Sequence, residues 1–378
     1  MGKLLYYLPP LAPDYSGTAS VFHDLNALTV IHDASGCTGT YTGYDEPRWF
    51  GSSSPVFCSG LREMDAVMGD DEKLLAKIED ALKDADASCV AVIGSPVPMV
   101  IGFDFAGFAR AVENRTGRPC LAFPTTGLAY YDAGQKAAYL ALADFFSKKD
   151  FFEKDFFKKE KKVNILGASV LDGFDDAKLH DLIALLEEAG LRAGAVWGMR
   201  SGFEELRETP KAEANWVVTA AALPLARYLR DRFGTPFIAG LPLGTRERAR
   251  ISAGLSAVRS GGKIPAFSAP PLSREVSADA PARTLIIGEG IFCASLRAEM
   301  EQENSFSIRL GSFFQSAKAV FADSDAIFTS EEELAVALKN PALEEVIGDP
   351  LFREFLPADT SVRFTEIPHR AVSGRLYA

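Results

Sequence analysis

Short apolar runs, each leading into an amphipathic stretch, recur along this 378-residue chain, and that alternation constrains its fold more than any other feature. ALTVI (27–31) reads as a strand, and EKLLAKIEDALKDA (72–85) has the apolar spacing of a helix. CVAVIGS (89–95) is strand-like again, and FAGFARAVENRTGRPCLAF gives a helix, a turn at Gly117-Arg118-Pro119 and another strand. Strand, helix, strand in repetition predicts parallel sheets joined by crossover helices, hence an α/β protein.

Two further units repeat the pattern, and the length itself predicts two or three domains. After residue 160, VNILGAS, LRAGAVW, NWVVTA and PFIAG read as strands, with helices over DDAKLHDLIALLEEAG and LPLARYLRDRFG. Gly190 and Gly234 stand just past these helices, where a left-handed cap suits glycine. From Arg283 onward, TLIIGEG, IFCASLRAEMEQE, AVFAD and EEELAVALKN continue the alternation, and RFTEIPHRAVSGRLYA closes the chain. The predicted division is a first domain over 1–147, a charged linker or helix over 148–162, and a second domain over 163–265. A Ser/Pro/Gly/Ala-rich linker over 266–282 and a third domain with the C-terminal segment over 283–378 complete it. Within 148–162, Phe151, Phe152, Phe156 and Phe157 interrupt a dense run of charge. This stretch reads either as a solvated helix whose phenylalanines pack on the first domain or as a partner-docking helix.

Composition narrows the function. A formal charge of −11 leaves no basic excess to neutralise phosphates and argues against general nucleic-acid binding. The N-terminal MGKLLYYLPP lacks the long apolar stretch of a secretory signal, and no run reaches membrane-spanning length. These features predict a cytoplasmic protein. Five widely spaced cysteines make a poor disulfide framework, and without a CxxC pair and with four histidines a one-chain structural zinc site is not expected.

Cys37 follows a strand that ends at His32 and a turn through Ser35-Gly36, at the strand edge where ligands of open α/β sheets sit. Cys58 lies in SSSPVFCSGLREMD, read as a Pro/Ser/Gly loop entering a helix whose N-terminus favours thiolate. On residue chemistry alone both are either metal ligands or small buried core residues. Cys89, Cys120 and Cys293 accompany strand-like runs and are expected in the core. His23 and His180 fall in helical patterns and read as packing or surface residues.

The stretch TASVFHDLNALTVIHDASGCTGTY resembles the first cluster-ligating segment of the nitrogenase component 1 family, where a small-residue helix precedes a strand ending in His-Gly-x-x-Gly-Cys. His32, Gly36 and Cys37 match, whereas Asp33 replaces a glycine; Cys58 fits the second ligand position. The resemblance continues through VIGSPVPMVIGFDF, NRTGRPCLAFPTTGL and EANWVVTAAALPLARYLRDRFGTPF. It implies three Rossmann-like domains with parallel sheets, a two-fold dimer of such subunits and an iron–sulfur cluster at their interface. It also implies electrons from a separate ATP-hydrolysing iron protein. Family members reduce dinitrogen, chlorophyll precursors or a nickel tetrapyrrole, and others assemble the nitrogenase cofactor.

Two family cysteines are missing. The third cluster cysteine belongs in the loop that here reads SPVP (95–98), and the cysteine holding the active-site metal cluster belongs near Val218 or Thr219. A molybdenum-type cofactor is therefore not expected. Two ligands per chain predict a [4Fe–4S] cluster shared across a homodimer, with a larger fused cluster as the alternative. The expected function is that of a reductase component acting on a small molecule; a non-catalytic metallocluster scaffold is the competing expectation. In PHRAVSGRLY, His369 and Arg375 are candidate catalytic residues lining a cavity for an anionic substrate, or parts of a structural clasp. Gly288-Glu289-Gly290 and VIGSP read as ordinary strand-to-helix turns, since neither completes a GxGxxG pattern.

Overall fold

The computed structural model describes residues 6–52, 54–148, 159–260, 282–301 and 307–374. The four phenylalanines of 148–162, the linker over 266–281 and Arg375 lie outside the described residues.

Thirteen strands form three parallel sheets among the described residues. The first sheet contains β1 (Ala27–Ile31), β2 (Val56–Cys58), β3 (Cys89–Ile93) and β4 (Cys120–Phe123), in the order β2-β1-β3-β4. The second contains β5 (Glu160–Leu166), β6 (Arg192–Trp197), β7 (Ala212–Val217) and β8 (Phe237–Ala239), in the order β6-β5-β7-β8. The third contains β9 (Ala282–Ile287), β10 (Ser307–Ser312), β11 (Ala326–Ile327), β12 (Glu345–Gly348) and β13 (Arg363–Glu366), in the order β11-β10-β9-β12-β13. Every residue of β1 and β3 is buried, as expected for strands covered by helices on both faces. The α/β class read from the alternation and the three Rossmann-like domains implied by the resemblance are what the chain forms.

Strand order places the ligand sites. In each sheet the chain moves outward from a first strand and then returns to that strand's other side. Reversals therefore fall between β1 and β3, between β5 and β7, and between β9 and β12. Loops leaving the carboxyl ends of two such strands diverge and open a crevice. Cys37 follows β1, Asp172 follows β5, Thr219 follows β7, and Glu289 follows β9.

Local details follow the chemistry of the residues. Gly190 and Gly234 adopt φ of 74° and 65° and end their helices, as their positions predict. Trp197 and Trp216 are fully buried, each with its indole N–H donated, to Thr209 Oγ1 at 3.0 Å and to the Gly240 carbonyl at 2.9 Å.

Three boundaries depart from the sequence reading. β5 begins at Glu160, inside the expected linker, because Glu160-Lys161-Lys162 reads as loop although its backbone joins β7. Residues 6–12 belong spatially with the third domain rather than the first. The amides of Tyr6, Tyr7 and Leu8 donate to the Glu331 carboxylate, and Leu8, Leu11 and Ala12 enter the core around Phe313 and Phe352. Cys58 ends strand β2, and the next helix starts only at Glu63, so Cys58 does not itself enter a helix.

A buried ion pair ties the third domain together. Arg297 Nη1 donates to both oxygens of Asp325 at 2.8 Å, while Asp325 also accepts the amides of Leu310 and Ala322. Both side chains are nearly inaccessible, so removing one partner strands the other charge away from water. Arg297→Ala is expected to cost about 3–5 kcal/mol in chemical denaturation. A loss under about 1 kcal/mol would mean that the pair contributes only as an exposed bridge does.

Candidate functional site

The two cysteine loops emerge side by side because β1 and β2 are parallel neighbours, with Ile31 opposite Cys58. Past Ile31 the chain turns at Asp33 and enters a helical segment, Gly36–Thr40 continuing into Tyr41–Asp45, whose first turn carries Cys37. Asp33 Oδ2 accepts the amides of Ser35 at 2.9 Å, Cys37 at 2.8 Å and Thr38 at 3.3 Å, which fixes that turn. The Asp33 carbonyl oxygen meanwhile accepts from the Cys58 thiol at 3.4 Å. One residue therefore braces both cysteines, at the position where the family resemblance has glycine.

His32 and Ser59 join the loops from beneath, with His32 Nδ1 2.8 Å from Ser59 Oγ. Burial lowers the His32 pKa to about 4, so its ring is neutral at neutral pH. Ser95, which precedes the helix Pro96–Val100 where the resemblance implies a third cluster cysteine, donates its hydroxyl to the His32 carbonyl at 2.9 Å.

Cys37 and Cys58 are half-exposed, whereas Cys89, Cys120 and Cys293 are buried. Burial raises the Cys37 thiol to about 11, with the nearby Asp33 carboxylate adding to the shift and the Tyr15 hydroxyl opposing it. A low-dielectric pocket beside a carboxylate disfavours the anion, and only a cation bound at sulfur would favour it.

The donor set suits part of the coordination of an iron–sulfur cluster. Two thiols on braced neighbouring loops provide sulfur, and among the described residues no group of three or more His, Cys, Asp or Glu side chains could hold a metal by itself. Apolar side chains stand exposed on segments next to these loops, including Phe57, Val97 and Ile101, and Val100 is 86% exposed.

A second site lies where the carboxyl edges of the second and third sheets meet. A cavity of about 620 Å³ is walled by Leu182, Val218, Leu241, Leu243, Phe292 and Ile367, with Asp172, Glu289 and His369 among its polar groups. Its volume suits a small organic molecule. No cysteine lines it, and Val218 and Thr219 stand where the resemblance implies an active-site cysteine. Lys178 and Arg248 also line the cavity, Arg248 paired with Glu188 at 2.8 Å.

His369 follows β13 and precedes the last helical turn, its amide donating to Asp349 Oδ2 at 2.8 Å. Its Nε2 is 3.7 Å from Asp172 Oδ1 and 3.5 Å from the Tyr131 hydroxyl, which donates to the same Asp172 oxygen. Glu289 is buried; Oε1 accepts the Ala220 amide at 2.6 Å and Oε2 the Phe292 amide at 2.9 Å. Desolvation, reinforced by Asp172, pushes its carboxyl up to about 8. Asp172, Tyr131 and Glu289 escaped the sequence reading. For the two carboxylates the signal was a position in the segment after an apolar strand, Asp172 past β5 and Glu289 past β9, whereas nothing local marks Tyr131.

Three parallel-sheet domains with ligand loops at their reversal points define a protein of the Rossmann-like, multidomain class. Residues 14–281 match the family model described as "Nitrogenase component 1 type Oxidoreductase", and the chain belongs to that family. It is 27% identical over 231 residues to the nitrogenase iron-molybdenum cofactor biosynthesis protein NifE of Clostridium pasteurianum, covering 59% of this chain and 48% of that protein. It is 28% identical over 223 residues to the nitrogenase molybdenum-iron protein alpha chain of Azospirillum brasilense, covering 56% and 45%. The matches thus span about half the length of these curated relatives. Among solved structures, "Nitrogenase Cp1 at pH 6.5" superposes with a TM-score of 0.69 at 12% identity over 97% of this chain and 87% of that one, a likeness of fold.

Proposed function

We infer that the chain is the substrate-reducing component of a nitrogenase-like system. In this reading Cys37 and Cys58 from each of two copies hold one iron–sulfur cluster across a two-fold axis. The observation that carries it is the pair of half-exposed cysteines braced by Asp33 at the carboxyl ends of β1 and β2, next to segments that leave apolar side chains in solvent. Two thiolates per chain complete a [4Fe–4S] cluster only in a dimer, and an isologous contact sets each pair against its copy. A larger fused cluster with bridging thiolates uses the same four residues. The cluster would pass single low-potential electrons from an ATP-dependent iron protein toward a small molecule in the cavity that His369 lines. Among the described residues no helix is long and apolar enough to cross a membrane. Five unpaired thiols suit a reducing, cytoplasmic setting.

Assembly tests the reading. The iron-loaded protein is expected to be a dimer by light scattering and to dissociate more readily after iron chelation, since a shared metal group contributes to association. A monomer that retains its cluster would remove the shared-cluster model.

The second reading, a scaffold that builds or carries a metallocluster, is favoured by the relatives whose names describe cofactor biosynthesis. Turnover separates the two: a reductase consumes ATP and substrate with the iron protein present, whereas a scaffold hands its cluster to an acceptor protein without reducing a small molecule.

A further inference from the structure

Asp33 is buried at the point where both cysteine loops converge. One oxygen of its carboxylate accepts the amides of Ser35, Cys37 and Thr38, and the Cys37 thiol lies within hydrogen-bonding reach of the same side chain. Its carbonyl oxygen accepts the Leu61 amide at 2.8 Å and the Ser59 hydroxyl at 3.1 Å in addition to the Cys58 thiol. The two sulfurs therefore meet different surroundings. The Gly60 amide donates to Cys58 Sγ at 3.3 Å, whereas the amides that open the Cys37 turn are directed onto Asp33.

We propose that Asp33 sets the electron affinity of the iron–sulfur cluster held by Cys37 and Cys58 and keeps its reduction potential low. This rests on the shared-cluster reading and names the residue that tunes that site. Two effects act in the same direction. A carboxylate beside the sulfur opposes the arrival of another negative charge, and salt screens that repulsion weakly at a buried group. Amide N–H groups directed at cluster sulfurs favour the reduced state, and around Cys37 three of them are turned onto Asp33. The two-fold arrangement brings a second Asp33 to the same cluster, so one substitution removes two negative charges. Only an electron moves in the step that Asp33 opposes: no bond forms or breaks, and no proton follows. The donor must then be a one-electron reductant of still lower potential.

The groups around the two loops leave this charge in place. The carboxylate is met by amides rather than by a cation among the described residues. His32 beneath the loops is neutral, and burial pushes the Tyr15 hydroxyl beside Cys37 well above its ordinary value, so that ring is uncharged as well. Lys77 stands on the Cys58 side, where its Nζ donates to the Ser59 carbonyl. Asp45, beyond Tyr15, adds negative charge and accepts the Ser16 hydroxyl at 2.7 Å. Asp33 touches no substrate in this arrangement and acts through the sulfurs.

Redox titration of the full chain, reconstituted anaerobically with ferrous iron and sulfide and followed by electron paramagnetic resonance, tests the proposal. Asp33→Asn keeps an oxygen able to accept the amides of the turn and removes the charge. At one fixed solution potential and equal iron and sulfide content, its reduced-to-oxidised ratio is expected to be about tenfold above that of the wild type. For a one-electron couple that ratio is a rise of about 59 mV in the midpoint. Asp33→Glu, which keeps the charge, is expected to stay near the wild-type midpoint. An unmoved midpoint in Asp33→Asn overturns the proposal and leaves Asp33 a brace of the two loops. A midpoint that rises as far in Asp33→Glu as in Asp33→Asn also overturns it, because geometry rather than charge is then the cause. So does an Asp33→Asn chain that takes up no iron, since Asp33 is then needed to build the site. A wild-type chain that takes up no iron overturns the cluster reading and the proposal with it. An iron-loaded wild type that reduces no small molecule overturns the reductase reading alone, and the titration still decides the role of Asp33.

Discussion

Anaerobically purified Cys37→Ser and Cys58→Ser chains are expected to lose most of their iron, while Cys89→Ser and Cys120→Ser keep the wild-type amount. The separation follows from exposure and geometry. Cys89 and Cys120 begin β3 and β4 at the amino ends of those strands and are buried, 0% and 8% exposed. Cys37 and Cys58 sit past or at the carboxyl ends of β1 and β2, half-exposed and braced by one aspartate. Cys37 gives up its proton reluctantly when free, so iron must compensate for the deprotonation, and serine, a harder and far less acidic ligand, cannot. A shared cluster sharpens the effect, because one substitution removes two of its four thiolates in the dimer. Equal iron in all four variants would dissolve the two-ligand assignment.

A comparably large effect on folding is expected at two glycines. The helix Asp14–Phe22 crosses the helix Tyr131–Lys148 so closely that a Cβ on Gly17 would meet the backbone of Tyr131, and one on Gly134 the backbone of Asp14. Backbone cannot yield as the end of a flexible side chain can. Overpacking costs typically about 1–3 kcal/mol where only side chains must shift, and more where helices must separate. Gly134→Ala is expected to lower stability by at least that much, and Gly134→Leu to leave no cooperative unfolding transition. The crossing also positions both sites. Tyr15 on one helix stands against Cys37, and Tyr131 at the start of the other donates to Asp172. Iron content should therefore fall with stability in Gly134→Ala. A Gly134→Leu chain with wild-type melting behaviour would refute the close crossing.

The α/β class, the three units and the prominence of Cys37 and Cys58 were legible in the sequence because they are local or periodic properties. An apolar run before an amphipathic one reads as strand and helix wherever it sits, and Gly190 and Gly234 end their helices by their own backbone freedom. The family resemblance rests on a contiguous segment around His32 and Cys37, which is likewise local. Elsewhere the local signal misled. Glu160-Lys161-Lys162 looks like loop, but its backbone pairs inside a sheet, and Cys58 looks like a helix entry but ends a strand.

The partners of each group were decided by the tertiary structure alone. Nothing near Asp33 in sequence indicates that its carboxylate would fix the Cys37 turn while its carbonyl meets the Cys58 thiol. Nothing near Glu289 announces that Asp172, 117 positions earlier, would help keep its carboxyl protonated. Periodicity sets which residues form strands, because side-chain burial is dictated along the chain. Strand order sets which loops share a crevice, and it arises from the packing of whole sheets. The sequence by itself therefore determined the elements, their class and the cysteine-bearing segment. The tertiary structure decided the cavity, its proton-bearing cluster and the raised Cys37 thiol, because desolvation and charge pairing depend on neighbours that only the folded chain brings together.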